Sequence, residues 1–159
     1  MRFSDVDDAS ELSRMAREIW MEYFPTIISK EETEYILNKI QSEEAIREQI
    51  ENGHLYSFIE CDGRKVGYFC IHPEGDSLFM SKLYVSKDQR GKGLGSKTLD
   101  DIIEKGKAMN MKRIYLRVNR FNTVAKKVYT SKGFVVVREE KLDIGDGFFM
   151  DDYLMEYHY

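Results

Sequence analysis

Residues 89–98 read QRGKGLGSKT. Gly91, Gly93 and Gly95 alternate there with basic and small residues. The stretch lies between a strand-like run, SLFMSKLYV (77–85), and a segment where Leu99, Ile102, Ile103, Gly106 and Met109 recur at helical spacing. A glycine loop that opens a helix suits a phosphate, because the first helical amides lack internal partners and carry positive partial charge. Glycine lets the backbone approach an anion closely, and Arg90 and Lys92 add charge. Two phosphate loops fit poorly. A mononucleotide loop, G-x-x-x-x-G-K-[ST], started at Gly91 needs a second glycine where Ser96 precedes Lys97 and Thr98. A dinucleotide fingerprint, G-x-G-x-x-G, also needs glycine at Ser96, and it opens a series of parallel units rather than following a meander.

Outward from the loop, the pattern predicts the remaining elements. On the amino-terminal side, HLYSFIE (54–60), the turn Asp62-Gly63 and KVGYFCI (65–71) form a hairpin. Turn residues Pro73 to Asp76 then lead into 77–85, which makes an antiparallel meander. Three helical pieces precede it. Asp8 with Glu11 opens one carrying Leu12, Met15, Ala16, Ile19, Trp20 and Tyr23 and ending near Pro25. Ser29 with Glu32 opens the second, through Tyr35, Ile36 and Ile40, and the third passes Ala45, Ile46 and Ile50 to stop at Asn52-Gly53. Beyond the loop helix, IYLRV points Ile114, Leu116 and Val118 inward, so strand, loop, helix and strand make a parallel crossover. Asn122 begins a shorter helix with Val124, Ala125, Val128 and Tyr129 on one face, closed by Gly133; FVVVREE (134–140) and FFMDDYLMEYHY (148–159) are strands. At 159 residues without a repeat, linker or low-complexity tract, the chain reads as one domain, 1–159.

Composition narrows the function. The formal net charge is −4, but residues 1–80 carry −9, residues 81–138 carry +11 and residues 139–159 carry −6. A basic segment around a glycine loop suits a polyanionic ligand, and acidic flanks attract a cationic one. The overall acidity, with an isoelectric point near 5.5, argues against a nucleic-acid binder. No apolar run approaches membrane-spanning length, and MRFSDVDDASELSR lacks the basic-then-apolar order of a secretory signal; the expectation is a cytoplasmic protein that does not use a membrane. Cys61 and Cys70 flank DGRKVG, where Cys61 would face Arg64 across the ladder, so neither a disulfide nor a metal site is expected.

A third phosphate loop matches. Arg90, Gly93 and Gly95 satisfy [QR]-x-x-G-x-[GA], and Asn122, Ala125, Tyr129 and Gly133-Phe134 satisfy N-x-x-A-x-x-x-Y-x-x-x-G-F, in the same order and separation as in the GNAT acetyltransferase superfamily. The chain resembles that superfamily well over residues 55–159 and in outline before them; the closing DIGDGFFMDDYLMEY looks most like a branch with some bacterial spermidine N-acetyltransferases. The resemblance implies an α+β (mixed α/β) fold: a mostly antiparallel, twisted sheet of six to seven strands, with one parallel pair splayed around the cofactor and helices flanking it. Such domains usually begin with a strand, for which only Met1 to Ser4 remain here.

The resemblance also implies a mechanism. Acetyl-CoA is the cosubstrate and no metal is needed. Amides of Gly91, Lys92, Gly93, Leu94, Gly95 and Ser96 hold the pyrophosphate beside Gln89 and Arg90, while Leu83, Tyr84 and Val85 pair with the pantetheine arm. Tyr129 protonates the departing CoA thiolate, and Asn122 caps its helix and bonds the pantetheine arm or a water. A proton acceptor for the incoming amine is not singled out; Glu22, Glu34, Tyr35, His54, Tyr56, Glu60 and Asp151 are open candidates. The acceptor enters a side carrying Trp20, Tyr23, Phe24, Tyr35, Tyr56, Phe148, Asp151 and Asp152, where aromatic and acidic groups favour a cationic amine. A polyamine-like small molecule is the expected acceptor, and a homodimer is allowed. The alternatives are acetylation of a protein amino terminus or lysine, and an acyl-CoA sensor without turnover.

Overall fold

Hydrophobic spacing and cap residues account for most of the architecture. In the computed structural model, which describes residues 1–159, the order is β1 (Arg2–Asp5), α1 (Ala9–Tyr23), α2 (Lys30–Ile40), α3 (Glu43–Glu51), β2 (Leu55–Cys61), β3 (Arg64–Glu74) and β4 (Ser77–Val85). It continues with α4 (Leu94–Ala108), β5 (Arg113–Asn119), α5 (Thr123–Ser131), β6 (Val135–Gly145) and β7 (Phe148–His158). The seven strands form one sheet in the order β1-β2-β3-β4-β5-β7-β6. β4 and β5 are parallel through Ser77–Phe79, as the crossover predicts; β1 with β2, β2 with β3, β5 with β7 and β7 with β6 are antiparallel. Contacts divide the chain into two compact units, residues 1–72 with 82–98, and residues 73–81 with 99–159.

The first unit holds the helical third. Asp8 accepts from the Ser10 amide at 2.9 Å, Ser29 from Glu32 at 3.0 Å and Ser42 from Ala45 at 3.1 Å, so each helix start has a side-chain cap. Each cap contributes about 1 kcal/mol. Leu12, Ala16 and Ile19 of α1 and Ile46 of α3 bury themselves against Tyr56 and Phe58 of β2 and Tyr68 and Cys70 of β3. Burying each large apolar side chain stabilises the fold by about 2 kcal/mol. The shortened first strand does form: Arg2 to Asp5 pair with Glu60 to Ser57. The hairpin turns at Asp62 and Gly63, both at positive φ, and sets Cys61 opposite Arg64 and Cys70 opposite Tyr56, so the two cysteines are not disulfide-bonded.

In the second unit Ile114, Leu116 and Val118 are buried, as the alternation predicts. Two expectations fail. Met109 is exposed because α4 ends at Ala108, and Val124 is 66% exposed because the first turn of α5 faces outward there. β6 runs on to Gly145, past the expected 140, because its ladder with β7 continues to Gly145↔Phe148. β3 likewise extends to Glu74, which shortens the expected Pro73–Asp76 turn.

Candidate active site

The loop that opens α4 is tied down at its entrance. After β4, the Ser86 amide donates to Val66 O at 2.8 Å, and a short 3-10 turn, Lys87–Gln89, carries the chain to Arg90. Gly91 and Gly93 follow at φ +80° and +76°, left-handed values that cost other residues about 1–2 kcal/mol. α4 then begins at Leu94, and Lys97 N donates to Gly93 O at 2.9 Å. The amides of Leu94, Gly95 and Ser96 precede that bond and have no acceptor within the helix.

Charge distinguishes this helix start from those of α1, α2 and α3. α2 and α3 carry Glu31 with Glu32 and Glu43 with Glu44 in their first turns; α4 carries no acid there. A negative side chain already complements the positive end of the first two helices, whereas α4 leaves that end for an external anion. Lys92 is exposed beside it, its ammonium 3.4 Å from Gln89 Oε1. A diphosphate fits this cradle of left-handed glycines, open amides and one lysine.

The other two side chains expected at the phosphate are engaged elsewhere. Arg90 donates to Glu22 at 2.7 Å and to Val85 O at 3.1 Å, and it lies 5.1 Å from the Tyr23 ring centre. It therefore ties the loop to α1. Gln89 is buried and donates to Asp88 at 3.4 Å.

Leu83, Tyr84 and Val85 close β4 immediately before the loop. Tyr84 turns its ring into an aromatic cluster: Trp20 stacks on Phe24 at 3.9 Å and meets Tyr84 edge-on at 5.4 Å, and Tyr68 lies 5.6 Å from Tyr84. Trp20, Phe24 and Tyr56, expected on the acceptor side, are buried side chains of this unit. The Tyr56 hydroxyl donates to Gln49 Oε1, and burial holds the Tyr56 phenol far above its ordinary pKa. A residue that sequence reading passed over stands beside it. Lys82, one position before Leu83, is buried, 3.1 Å from Gln49 Oε1 and 5.2 Å from the Tyr56 ring centre.

Among the open candidates for proton acceptor, three are held in ion pairs: Glu22 with Arg90 at 2.7 Å, Glu60 with Arg2 at 3.6 Å and Asp151 with Arg120 at 3.2 Å. His54 stacks on His72 at 4.0 Å, with Nδ1 3.9 Å from Cys70 Sγ. Glu34 is exposed and Tyr35 half-buried on α2.

Asn122 and Tyr129 belong to the second unit. Asn122 is buried; its side chain caps α5 by accepting from the Ala125 amide at 3.4 Å, and its own amide donates to Asn119 O at 2.9 Å. Tyr129 is half-buried near the end of α5, its ring 6.0 Å from Phe134, while its carbonyl accepts from the Phe134 amide at 3.1 Å. The Gly133-Phe134 step thus fixes the helix end that carries Tyr129. In β7, Asp151 pairs with Arg120, whereas Asp152 is buried opposite Asn119 and Glu140. Burial pushes the Asp152 carboxyl up to about 6, against the pull of Arg117. No three or more histidine, cysteine, aspartate or glutamate side chains gather where they could hold a metal ion.

A profile described as the acetyltransferase (GNAT) family matches residues 13–134, which include the glycine loop and the Asn122-to-Tyr129 helix. The chain belongs to that GNAT family. It is accordingly an acyltransferase, an N-acetyltransferase that draws its acetyl group from acetyl-CoA. A relative, an uncharacterised N-acetyltransferase of the pepI 3′ region of Lactobacillus delbrueckii subsp. lactis, is 25% identical over 87% of this chain and 86% of its own length. Solved GNAT structures share the fold. The PaiA N-acetyltransferase of Thermoplasma acidophilum, solved in complex with coenzyme A, superposes with a TM-score of 0.79 at 23% identity, over 99% of this chain and 98% of its own. The ribosomal-protein-alanine N-acetyltransferase of Brucella melitensis gives a TM-score of 0.65 at 19% identity over the full length of both chains. No helix here is long and apolar enough to cross a membrane.

Proposed function

We propose that this GNAT protein acetylates a primary amine on a cationic small molecule of polyamine type, by direct attack of the amine on acetyl-CoA within a ternary complex. The observation that carries the reading is the start of α4, free of acid and preceded by two left-handed glycines. Amides from Gly91 to Ser96, with Lys92, hold the diphosphate. Leu83, Tyr84 and Val85 supply the backbone that aligns the pantetheine arm, and an N–H there faces charge developing on the acetyl oxygen. One such donor contributes on the order of 3 kcal/mol to the rate.

Tyr129 gives its proton to the leaving thiolate. A phenol suits the task because it is fully protonated at neutral pH, and its ordinary pKa of about 10 lies within about two units of the thiol it forms, about 8.5, so the transfer is only mildly uphill. Asn122 holds the start of the Tyr129 helix through its cap. The cationic preference is supported by the net charge of −9 over residues 1–80, a field that concentrates amines. One catalytic domain is supported by the family profile, whose span draws on both units.

Calorimetry with coenzyme A and a thiol-release assay with acetyl-CoA test the reading. Spermidine, a lysine peptide, a peptide with amino-terminal alanine and glutamate are compared at equal concentration. Spermidine is expected to react fastest. Preference for the peptides transfers the activity to protein amines; preference for glutamate refutes the cationic assignment. Coenzyme A binding without turnover on any amine leaves a sensor.

A further inference from the structure

The proposed reaction lacks a group to take the proton of the incoming ammonium, and the buried lysine of β4 meets that need. Resting on the acetyltransferase reading, we propose that Lys82 is the proton acceptor for the amine. Several lysines of this chain meet carboxylates: Lys65 lies 2.6 Å from Glu11, and Lys132 lies 2.9 Å from Asp100. Lys82 does not. The groups facing it are Gln49 from α3, Tyr56 from β2 and Cys70 from β3, with His54 beyond Cys70. None is a carboxylate, and only 7% of the residue is exposed.

A buried ammonium without a carboxylate partner is costly, which makes the neutral amine, with its lone pair, easier to reach here than in water. Burial accordingly lowers the Lys82 pKa, and the only opposing contribution comes from the Cys70 thiol. The surroundings also suit the protonated form once it appears. Gln49 Oε1 accepts from the ammonium at 3.1 Å, and the Tyr56 face lies 5.2 Å below it. Neither neutralises the charge, so the proton is held briefly and passed to water. Lys82 also adjoins Leu83–Val85, the backbone assigned to the pantetheine arm.

The protons balance. The ammonium substrate gives one proton to Lys82, and its freed lone pair forms the C–N bond as the C–S bond breaks. The nitrogen then loses a second proton, which offsets the one Tyr129 hands to sulfur. Amide, thiol and one proton released to water are the products. A neutral Lys82 does not repel a cationic acceptor, so the assignment accords with a polyamine.

The test compares Lys82→Met and Lys82→Arg with the unsubstituted protein. Two acceptors are used at pH 7.5: one strongly basic, spermidine, and one weakly basic primary amine that is mostly neutral at that pH. Both variants are expected to lose roughly 10²- to 10⁴-fold in kcat/KM on spermidine but far less on the weak base, which arrives already deprotonated. Coenzyme A binding by calorimetry should stay within about twofold, the agreement expected when no contact to the ligand is lost. Lys82→Met keeps a long, uncharged side chain in the buried site and guards against misfolding, while Lys82→Arg keeps a cation that cannot accept a proton; thermal unfolding of both variants verifies that the fold is retained. Equal losses on both amines, or spermidine turnover within threefold of the unsubstituted protein, overturn the assignment and leave the acetyltransferase reading standing. Absence of turnover in the unsubstituted protein overturns both.

Discussion

Replacing Gly67 with alanine tests whether the close approach of β3 to the end of β4 shapes the acetyl-CoA site. A Cβ built on Gly67 would lie 2.4 Å from Tyr84 O, 3.1 Å from Val85 Cα and 3.3 Å from Ile59 Cδ1. Carbon atoms rarely come closer than about 3.4 Å to such neighbours, so the Tyr84 carbonyl must retreat by about 1 Å. It is backbone and has no rotamer by which to evade. Overpacking of this kind costs roughly 1–3 kcal/mol, which for a chain of this size lowers Tm by about 3–10 °C. The displaced strand is the one proposed to align pantetheine, and a misplacement of about 1 Å can cost on the order of 10²-fold in rate. Thermal unfolding, coenzyme A calorimetry and thiol release are measured on Gly67→Ala beside Gly63→Ala. Gly63 has positive φ but no atom within 4 Å of its Cβ, so that control carries backbone strain alone. The expected result is a lowered Tm in both, with weakened coenzyme A binding and turnover only in Gly67→Ala. Unchanged Tm and affinity in Gly67→Ala would refute the steric argument; equal damage in the control would refute its link to the site.

Tyr129→Phe keeps the ring and removes the proton, so kcat is expected to fall about 10²- to 10⁴-fold with acetyl-CoA affinity nearly unchanged, as single-turnover kinetics and calorimetry would show. An effect confined to KM would remove Tyr129 from the chemistry. Asp152 gives a stability prediction. Its folded pKa, about 6, exceeds the ordinary 3.8, so the folded chain binds this proton more tightly than the unfolded one. The contribution favours folding below about pH 4 and is lost as the pH rises through 6. Asp152→Asn should therefore be more stable than the parent above pH 6, by at most about 3 kcal/mol, and should lose that advantage below pH 4 in urea titrations at both pH values.

Much of this protein was legible in the linear order of its residues, because local geometry depends on local chemistry. The caps at Asp8 and Ser29, the Asp62-Gly63 turn, the alternation through Ile114, Leu116 and Val118 and the glycines opening α4 each act within a few residues. The spacing of the Arg90-to-Gly95 loop and the Asn122-to-Phe134 helix sufficed for the family. Partnerships across the fold were not legible. That Arg90 spends its charge on Glu22, that Gln89 and Asp152 are buried, and that Gly67 admits the Tyr84 carbonyl depend on residues far apart in sequence. Lys82 shows the difference most plainly: in the sequence it is one of many basic residues, and only packing removes it from water without giving it an acid. Desolvation and Coulomb terms depend on three-dimensional distance, which the chain's order does not contain.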